Sequence, residues 1–352
     1  MTTLQELVKK DQSPWLDYIS KQIIKDGTLT QLIDSGVTGL TSNPSIFDNA
    51  ISKTNDYDED VIALSTKGLN IFEIYDELTV SDIQKAADMF LPLYEKTGKK
   101  DGYVSLEINP NLAKNLSETI SEGKRLYKKV NRPNLMLKVP ATEESLPAVE
   151  EFIAEGMNVN VTLIFSLAQY EACAKSYIKG IKNRKAAGKD ISHVHSVASV
   201  FISRVDSSAD KQIKSDELKG QIACANAVLM YEKFKELFNG FEGNAQRPLW
   251  ASTGTKNPDY SDVKYIEELI VPQTVNTIPE STLRAFLAKG SAETKIMSAS
   301  QAQEALKKLS NEGISLETIC SQLLEDGLVS FNKAFDSLMK NIEEKANALK
   351  GA

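Results

Sequence analysis

One lysine, Lys138, occurs inside the apolar segment LMLKVP at residues 135–140. Turn-forming residues at 132–134 precede this segment and Pro140 ends it, a pattern typical of a buried strand in a parallel sheet. Burial disfavours the charged form of a lysine and leaves a neutral, nucleophilic amine. The segment therefore predicts a lysine that forms a Schiff base with a ketone or an aldehyde. The alternative is a lysine at a strand end whose ammonium group extends to solvent.

Further polar residues stand in or directly after apolar segments, where a core strand does not need them. Carboxylates in such places could act as acids and bases, and amides and hydroxyls could orient a substrate. Structural alternatives exist, because Asn43 could cap a helix, Glu107 could be a surface carboxylate and Ser252 could cap a turn. The full set is Asp17, Ser42, Asn43, Glu107, Asn160, Thr162, Ser199, Ser252, Asn276 and Thr277.

The elements that must position these residues alternate between strand-like and helical patterns almost to the C-terminus. Eight strands with helical crossovers in 352 residues favour a closed (β/α)8 barrel of the α/β class over an open doubly wound sheet. In such a barrel the chemistry lies at the C-terminal ends of the strands, so the polar set is expected to converge around Lys138. The predicted strands span residues 14–19, 37–43, 103–109, 135–140, 159–165, 197–203, 248–253 and 274–278.

Helices are also predicted outside the repeating strand–helix units. The stretch 44–102 holds extra helices, one marked by the apolar residues of 71–78 and another by those of 83–94. Apolar residues from Leu324 to Ile342 recur at helical spacing and predict C-terminal helices over about 314–350. No low-complexity linker interrupts the chain, which predicts a single domain over residues 1–352.

Composition restricts the classes of function. A net charge of −7 argues against general binding to nucleic acid or to an anionic membrane. No apolar run is long enough to cross a membrane, the N-terminus has no signal-peptide pattern, and no glycine-rich dinucleotide motif follows a strand. Three widely spaced cysteines in helical patterns indicate inert core residues in a reducing compartment, and hence a cytoplasmic protein: Cys173, Cys224 and Cys320.

A metal site is a weaker alternative. The only two histidines, His193 and His195, have a spacing that would put both on one face of a strand. They precede the sixth predicted strand, at the end of the barrel away from the expected site, and a zinc or iron site would need more ligands there. We therefore do not predict a metal site.

Six segments resemble transaldolase in its longer bacterial form, in the order in which that family has them, from about residue 14 to the C-terminus. The resemblance implies a barrel of the class I aldolase type that acts on sugar phosphates in the pentose phosphate pathway without a metal or an organic cofactor. We predict a monomer or a homodimer. A non-catalytic sugar-phosphate-binding protein on the same fold is the alternative from a different class. The segments are TSNPSIF, VSLEINP, LMLKVP, NVNVTLIFS, ASVFISRVD and LWASTGTKNP.

The resemblance also implies roles for individual residues. Lys138 would form the Schiff base, and Asp17 would be the acid and base at the carbon–carbon bond that breaks. Glu107 and Thr162 would hold a water that relays protons. The remaining residues would bind substrate: Asn43 and Asn160 at the sugar, Ser199 and Phe201 in the pocket wall, and Arg204, Ser252 and Lys256 at the phosphate.

This chain departs from the shorter members of the family at the phosphate. They have an arginine just after the serine that matches Ser252, whereas here Lys256 is the expected substitute. A lysine is a point charge and does not reproduce the bidentate fork of an arginine. The fructose 6-phosphate aldolase branch has glutamine and tyrosine where this chain has Glu107 and Phe201, so the resemblance favours transfer of a dihydroxyacetone unit over simple cleavage.

Overall fold

The strands predicted from the sequence form a closed barrel. In the computed structural model, which describes residues 1–350, eight parallel strands pair in sequence order and the last closes on the first. The predicted (β/α)8 barrel is confirmed, and every strand boundary lies within two residues of its predicted position. The strands are β1 (Gln12–Asp17), β2 (Gly39–Thr41), β3 (Tyr103–Glu107), β4 (Leu135–Pro140), β5 (Asn158–Ile164), β6 (Ser196–Phe201), β7 (Arg247–Ala251) and β8 (Thr274–Ile278).

Helices surround the barrel, and a short 3-10 turn at Pro110–Leu112 follows β3. No helix within residues 1–350 combines the length and the apolar character that crossing a membrane requires. The helices are α1 (Thr3–Lys9), α2 (Lys21–Lys25), α3 (Thr28–Asp34), α4 (Pro44–Ser52), α5 (Asp58–Thr66), α6 (Ile71–Lys96), α7 (Leu116–Val130), α8 (Leu146–Glu155), α9 (Leu167–Ala186), α10 (Ser203–Ala209), α11 (Ile222–Leu237), α12 (Lys264–Glu267), α13 (Glu280–Lys289), α14 (Ala299–Asn311) and α15 (Leu316–Lys350).

The insertion between β2 and β3 is helical, as predicted, and consists of α4, α5 and α6. The two helical patterns at 71–78 and 83–94 both belong to the continuous helix α6. Asn70 starts this helix with a capping box, in which its side chain accepts from Glu73 N at 3.0 Å and Glu73 Oε2 accepts from Asn70 N at 2.8 Å. Pro92 lies inside the helix, which nevertheless continues to Lys96.

Bulky side chains fill the barrel beneath its C-terminal end. Trp15 precedes Asp17 by two residues and therefore points into the same interior. Gly39 of the neighbouring strand leaves room for its indole, since a Cβ there would lie 2.5 Å from Trp15 Cε2. Lower down, Arg247 forms a buried ion pair with Asp101 at 3.0 Å. These contacts fill the interior of the barrel below its C-terminal end.

The C-terminal helix α15 crosses the open end of the barrel from β5 towards α4. Near its start, Cys320 Sγ donates to the carbonyl oxygen of Phe165, which follows β5, at 3.1 Å. Near its end, Asn341 Nδ2 donates to Asp48 of α4 at 2.7 Å. The predicted C-terminal helical extension is confirmed, as the single helix α15, whereas α14 at Ala299–Asn311 was not predicted. The last two residues of the predicted 1–352 domain lie outside the described residues.

Candidate active site

A cavity of about 170 Å³ lies at the C-terminal ends of the strands. It brings together ten residues that the sequence singled out, which come from β1, β4, β5, β6, β8 and the loops or helices that follow β2, β6 and β7. Four further residues complete its wall: Thr41, Ala251, Pro279 and Phe331. The ten expected residues are Asp17, Asn43, Lys138, Thr162, Ser199, Phe201, Arg204, Ser252, Lys256 and Thr277.

Lys138 lies at the centre of this end of the barrel. In register it faces Glu107 of β3 on one side and Asn160 of β5 on the other. Its Nζ donates to the carbonyl oxygen of Ser42 at 3.2 Å, and only 7% of its side chain is exposed. The amine therefore points into the barrel, and the alternative of a lysine that extends to solvent is wrong.

Glu107 is the carboxylate nearest to the lysine. Its Oε2 lies 3.8 Å from Lys138 Nζ, and neither carboxylate oxygen has a hydrogen-bond partner among the described residues. Burial raises the pKa of Glu107 to about 7, an effect that the lysine opposes and the charge of Asp17 reinforces. Glu107 is thus not a surface carboxylate. It can take up or release a proton near neutral pH.

Asp17, at the end of β1, is the carboxylate that lines the cavity, whereas Glu107 lies beside Lys138 and is not part of the cavity wall. Burial raises the pKa of Asp17, while the positive charges of Lys138, Lys256 and Arg204 lower it. Two carboxylates therefore face one amine, in a place where the solvation that normally holds both of them ionised is reduced. Such an arrangement suits acid and base chemistry.

Asn160 lies under the cavity rather than in its wall. Its Nδ2 donates to Ser105 Oγ at 3.1 Å and its Oδ1 accepts from Ser199 Oγ at 2.6 Å. This chain of side chains joins β3, β5 and β6 inside the barrel. Asn160 and Lys138 are opposite in register, but the longer lysine side chain extends into the cavity and the asparagine side chain does not.

Thr162 is placed by an irregularity in β5. The pairing of β5 with β6 shifts between Val161 and Ile164, and Leu163 has a left-handed backbone with φ of 61°. Thr162 reaches the cavity, yet its hydroxyl is buried and has no hydrogen-bond partner within residues 1–350. A hydroxyl left in this state is available to a substrate or to a bound water.

Asn43 and Ser252 combine a structural contact with a place in the cavity wall. The side chain of Asn43 caps α4, since its Oδ1 accepts from Ile46 N at 2.9 Å. The helix-cap alternative is therefore confirmed, and the same side chain still borders the cavity. Ser252 has a left-handed backbone with φ of 56°, and its Oγ lies 3.1 Å from Ser203 Oγ.

Two cations besides Lys138 line the cavity. Arg204 lies in the first turn of α10, with its guanidinium carbon 5.2 Å from the centre of the Phe201 ring. Lys256 lies in the loop after β7. Burial lowers the pKa of Arg204, and both cations act on Asp17. Their positive charge is suited to an anionic group such as a phosphate.

Thr41 and Phe331 were not predicted to line the site, for different reasons. Thr41 is a polar residue at the end of β2, so the rule that identified the other strand-end residues would also have identified it. Phe331 comes from α15, and its ring centre lies 5.8 Å from Lys138 Nζ. Nothing in the sequence pointed to it, because a helical apolar stripe does not tell which surface the helix covers.

The two histidines are at the opposite end of the barrel, as expected, but neither lies in a strand, because β6 begins at Ser196. His193 Nδ1 contacts Asp190 Oδ2 at 2.9 Å, and burial lowers the pKa of His195 to about 4. In the part of the chain that the structure describes, no three His, Cys, Asp or Glu residues are grouped to hold a metal ion. A larger hollow of about 540 Å³ also lies there, beside His195, and does not include Lys138.

The three cysteine thiols are free and buried, which confirms their interpretation as core residues. Cys173 lies in α9, Cys224 in α11 and Cys320 in α15. Burial raises the pKa of Cys173 and of Cys320 to about 12, so these thiols stay protonated and unreactive at neutral pH.

Comparisons with known proteins identify the family to which this chain is similar. A family model described as Transaldolase/Fructose-6-phosphate aldolase matches residues 14–342. The chain is 41% identical to Transaldolase 2 of Nostoc punctiforme, over 98% of this chain and 98% of that protein. It is 42% identical to the transaldolase of Saccharopolyspora erythraea, over 99% and 100%. It is also 40% identical to the transaldolase of Neisseria meningitidis serogroup A, over 96% and 99%.

Proposed function

The chain belongs to the transaldolase/fructose-6-phosphate aldolase family and is an enzyme of the transferase class, and we propose that it transfers a dihydroxyacetone unit through a Schiff base on Lys138. The donor is a ketose phosphate, sedoheptulose 7-phosphate or fructose 6-phosphate. The acceptor is an aldose phosphate, glyceraldehyde 3-phosphate or erythrose 4-phosphate, as in the non-oxidative pentose phosphate pathway. The observation that carries the proposal is the buried Lys138 amine, 3.8 Å from a carboxylate that titrates near neutral pH.

In the first step, the Lys138 nitrogen attacks the ketose carbonyl carbon and the carbonyl oxygen becomes a hydroxyl. Loss of this hydroxyl as water requires a proton and leaves an iminium ion. Glu107 and Thr162 border the same region as the amine and can relay protons through one water molecule. Glu107 suits this role because its pKa of about 7 permits both directions of transfer.

In the second step, the bond between C3 and C4 of the sugar breaks. Asp17 takes the proton of the C4 hydroxyl, an aldehyde departs, and the bonding electrons move to the iminium nitrogen to give an enamine. Transfer to the acceptor aldehyde reverses this step, with Asp17 returning the proton. The raised pKa of Asp17 supports both roles, since a base must also be able to act as an acid.

The remaining residues of the site hold the sugar phosphate. Arg204 and Lys256 bind the phosphate, assisted by Ser252, because both cations line the cavity. Asn43 and Ser199 lie where they can contact sugar hydroxyls, and Phe201 supplies an apolar wall. Asn160 contributes from below by orienting Ser199. Neither a metal nor an organic cofactor is part of this proposal, because the iminium ion itself accepts the electrons.

A fructose 6-phosphate aldolase is the second candidate, since the family includes both activities. It would release the three-carbon unit to water instead of passing it to an aldose. Glu107 and Phe201 favour transfer, because the aldolase branch has glutamine and tyrosine at these positions. If transfer is correct, turnover of fructose 6-phosphate requires erythrose 4-phosphate. Glu107→Gln then lowers kcat with little change in KM, and some aldolase activity emerges.

Borohydride reduction during turnover of fructose 6-phosphate tests the Schiff base directly. Mass spectrometry should locate a reduced three-carbon adduct on the peptide that contains LMLKVP, and Lys138→Ala should fold but lose both adduct and turnover. Lys21→Ala is the matched control, because Lys21 is another buried lysine that pairs with Asp60 outside the cavity. An adduct on a different lysine, or none in an active preparation, contradicts the assignment.

We extend the proposal to the cellular setting and the assembly. A cytoplasmic location fits three free thiols, which a reducing compartment preserves. The enzyme acts as a monomer or a homodimer on small sugar phosphates. Size-exclusion chromatography with light scattering distinguishes the two assembly states.

A further inference from the structure

We infer that Phe331 of α15 determines the fate of the three-carbon unit: its ring covers the Lys138 amine and keeps water from the intermediate, so that the unit is passed to an aldose. This inference rests on the proposed function and adds a residue outside the barrel to it. Every other wall residue of the cavity belongs to a barrel strand or to the segment directly after one. Phe331 alone approaches the amine from a helix that follows the last strand–helix unit.

The position of the ring is the first support. Phe331 lines the cavity, is 9% exposed, and has its ring centre 5.8 Å from Lys138 Nζ. A ring at this distance is within the range of a favourable cation–π contact, so it also tolerates the positive iminium ion that forms there. The charged side chains of Asp17, Lys256 and Arg204 also line the cavity. The ring thus provides an apolar cover over the nitrogen that carries the intermediate.

The packing of α15 against neighbouring elements fixes the position of the Phe331 ring. Gly327 lies one turn before Phe331 on the same face of α15, and a Cβ there would be 3.0 Å from Leu163 Cδ2. Leu163 directly follows Thr162 and has the left-handed backbone described above. The glycine therefore lets α15 pack closely against the end of β5. One turn after Phe331, the ring of Phe335 packs edge-on against Tyr75 of α6 at 5.3 Å.

The chemistry makes such a cover decisive. The enamine carbon can attack an acceptor aldehyde, which forms a carbon–carbon bond while the aldehyde oxygen takes a proton. Alternatively, that carbon takes a proton, water adds to the iminium carbon, and the carbon–nitrogen bond breaks to give dihydroxyacetone and the free lysine amine. Both routes end with water adding to the iminium carbon, because the transfer product is also released by hydrolysis of its iminium ion. Only the second route adds a proton to the enamine carbon, so keeping water, a proton donor, away from that carbon favours transfer over release.

The space available supports this view. One water in the liquid takes up about 30 Å³, so a cavity of about 170 Å³ has room for very few waters once a sugar phosphate occupies it. Removing the Phe331 ring would open the cavity on the side of α15. Water would then reach the intermediate from a direction that no barrel residue covers.

The test measures how the intermediate partitions, which a purely structural role for Phe331 would not change. The enzyme converts fructose 6-phosphate with saturating erythrose 4-phosphate, and the quantity of interest is dihydroxyacetone released per sedoheptulose 7-phosphate formed. Phe331→Ala should raise this ratio by about tenfold or more, a difference of about 1.4 kcal/mol in barrier heights. Phe331→Leu should give an intermediate value, since leucine keeps an apolar side chain of smaller area.

Phe335→Leu is the matched control, because Phe335 is buried in the same helix, packs on Tyr75 and does not line the cavity. It should lower the thermal midpoint about as much as Phe331→Leu and leave the ratio unchanged. Phe331→Met serves as a further variant that retains most of the packing volume. An unchanged ratio in folded Phe331 variants overturns the inference, as does an equal rise in Phe335→Leu. Failure of the proposed function would look different, since the unmodified enzyme would then form no Lys138 adduct or no transfer product.

Discussion

Lys138 Nζ and Glu107 Oε2 lie 3.8 Å apart inside the barrel, too far for a hydrogen bond, and the carboxylate has no hydrogen-bond partner among residues 1–350. A buried carboxylate in this state destabilises a protein by a few kcal/mol. Local rules of this kind are broken mainly at functional sites, where the remaining structure compensates. The Lys138–Glu107 pair therefore lowers the stability of the fold at the position where we propose that the reaction takes place.

The first prediction concerns stability and pH. Burial raises the Glu107 pKa from 4.5 to about 7, so between these values the folded protein binds more protons than the unfolded chain. The contribution of this group to stability is fully present below pH 4.5 and is lost as pH rises through about 7. The loss is about 3 kcal/mol, because one pKa unit corresponds to about 1.4 kcal/mol. Glu107→Gln should remove this dependence.

Urea denaturation measured from about pH 5 to about pH 8 checks this prediction. The free energy of unfolding of Glu107→Gln should rise relative to the unmodified protein across this range and level off above neutrality. Glu143→Gln is the control, since Glu143 is exposed, and its difference from the unmodified protein should stay constant. A constant difference for Glu107→Gln as well would mean that the carboxylate titrates in its ordinary range.

The second prediction concerns Thr162, whose hydroxyl is buried without a partner among the described residues. Thr162→Val keeps the shape of the side chain and removes the hydroxyl. Because a buried unpaired hydroxyl costs about 1–3 kcal/mol, the variant should be at least as stable as the unmodified protein. Its kcat should nevertheless fall by about tenfold or more, since the proton relay has lost a member.

Thermal melting and steady-state kinetics together test this opposite effect on stability and rate. Ser65→Ala is the matched control, because Ser65 Oγ in α5 is also buried and unpaired but lies far from the cavity. It should gain stability in the same way and keep its kcat. If Thr162→Val is fully active, the hydroxyl has no part in the proton relay.

The third prediction separates binding from chemistry at the phosphate. A phosphate remote from the reacting carbons is bound about equally in the ground state and the transition state, so its ligands act mainly through KM. Charge-assisted hydrogen bonds are worth roughly 1.5–3 kcal/mol each, or about one to two decades in affinity. Arg204→Ala should therefore raise KM for fructose 6-phosphate strongly and Lys256→Ala should raise it less, because a lysine cannot bind in a bidentate way.

Initial-rate kinetics over a wide range of fructose 6-phosphate concentrations measures this effect. Borohydride trapping should still succeed in both variants at high substrate concentration. Arg284→Ala serves as the control, since Arg284 is exposed and pairs with Glu280 on the surface. If Lys256→Ala abolishes binding while Arg204→Ala leaves KM unchanged, the main phosphate ligand has been misassigned and the sugar is oriented differently in the barrel.

The fourth prediction concerns metal removal. The iminium ion on Lys138 is the proposed electron acceptor, so treatment with EDTA followed by dialysis should leave kcat unchanged. The assay compares treated and untreated enzyme, with added zinc as a third sample. A loss of activity that zinc restores would instead assign a role to His193 and His195 at the other end of the barrel.

Much of the fold and of the site could be predicted from the sequence, because both depend on local patterns. Strand and helix periods are set by neighbouring residues, and alternating strands and helices imply a parallel barrel. In such a barrel all strands point the same way, so polar residues at strand ends such as Asp17, Glu107 and Lys138 must meet at one end. This geometric rule required no knowledge of side-chain contacts.

The tertiary structure alone decided which of these residues reach the cavity and what covers it. Asn160 and Thr162 point to the same side of β5, yet two residues of strand rise separate them by about 6.6 Å, so only Thr162 borders the cavity. The period of α15 shows that Phe331 is on an apolar face but does not show that this face crosses the barrel. Such contacts join residues far apart in the chain, and they depend on how whole elements pack rather than on any local pattern.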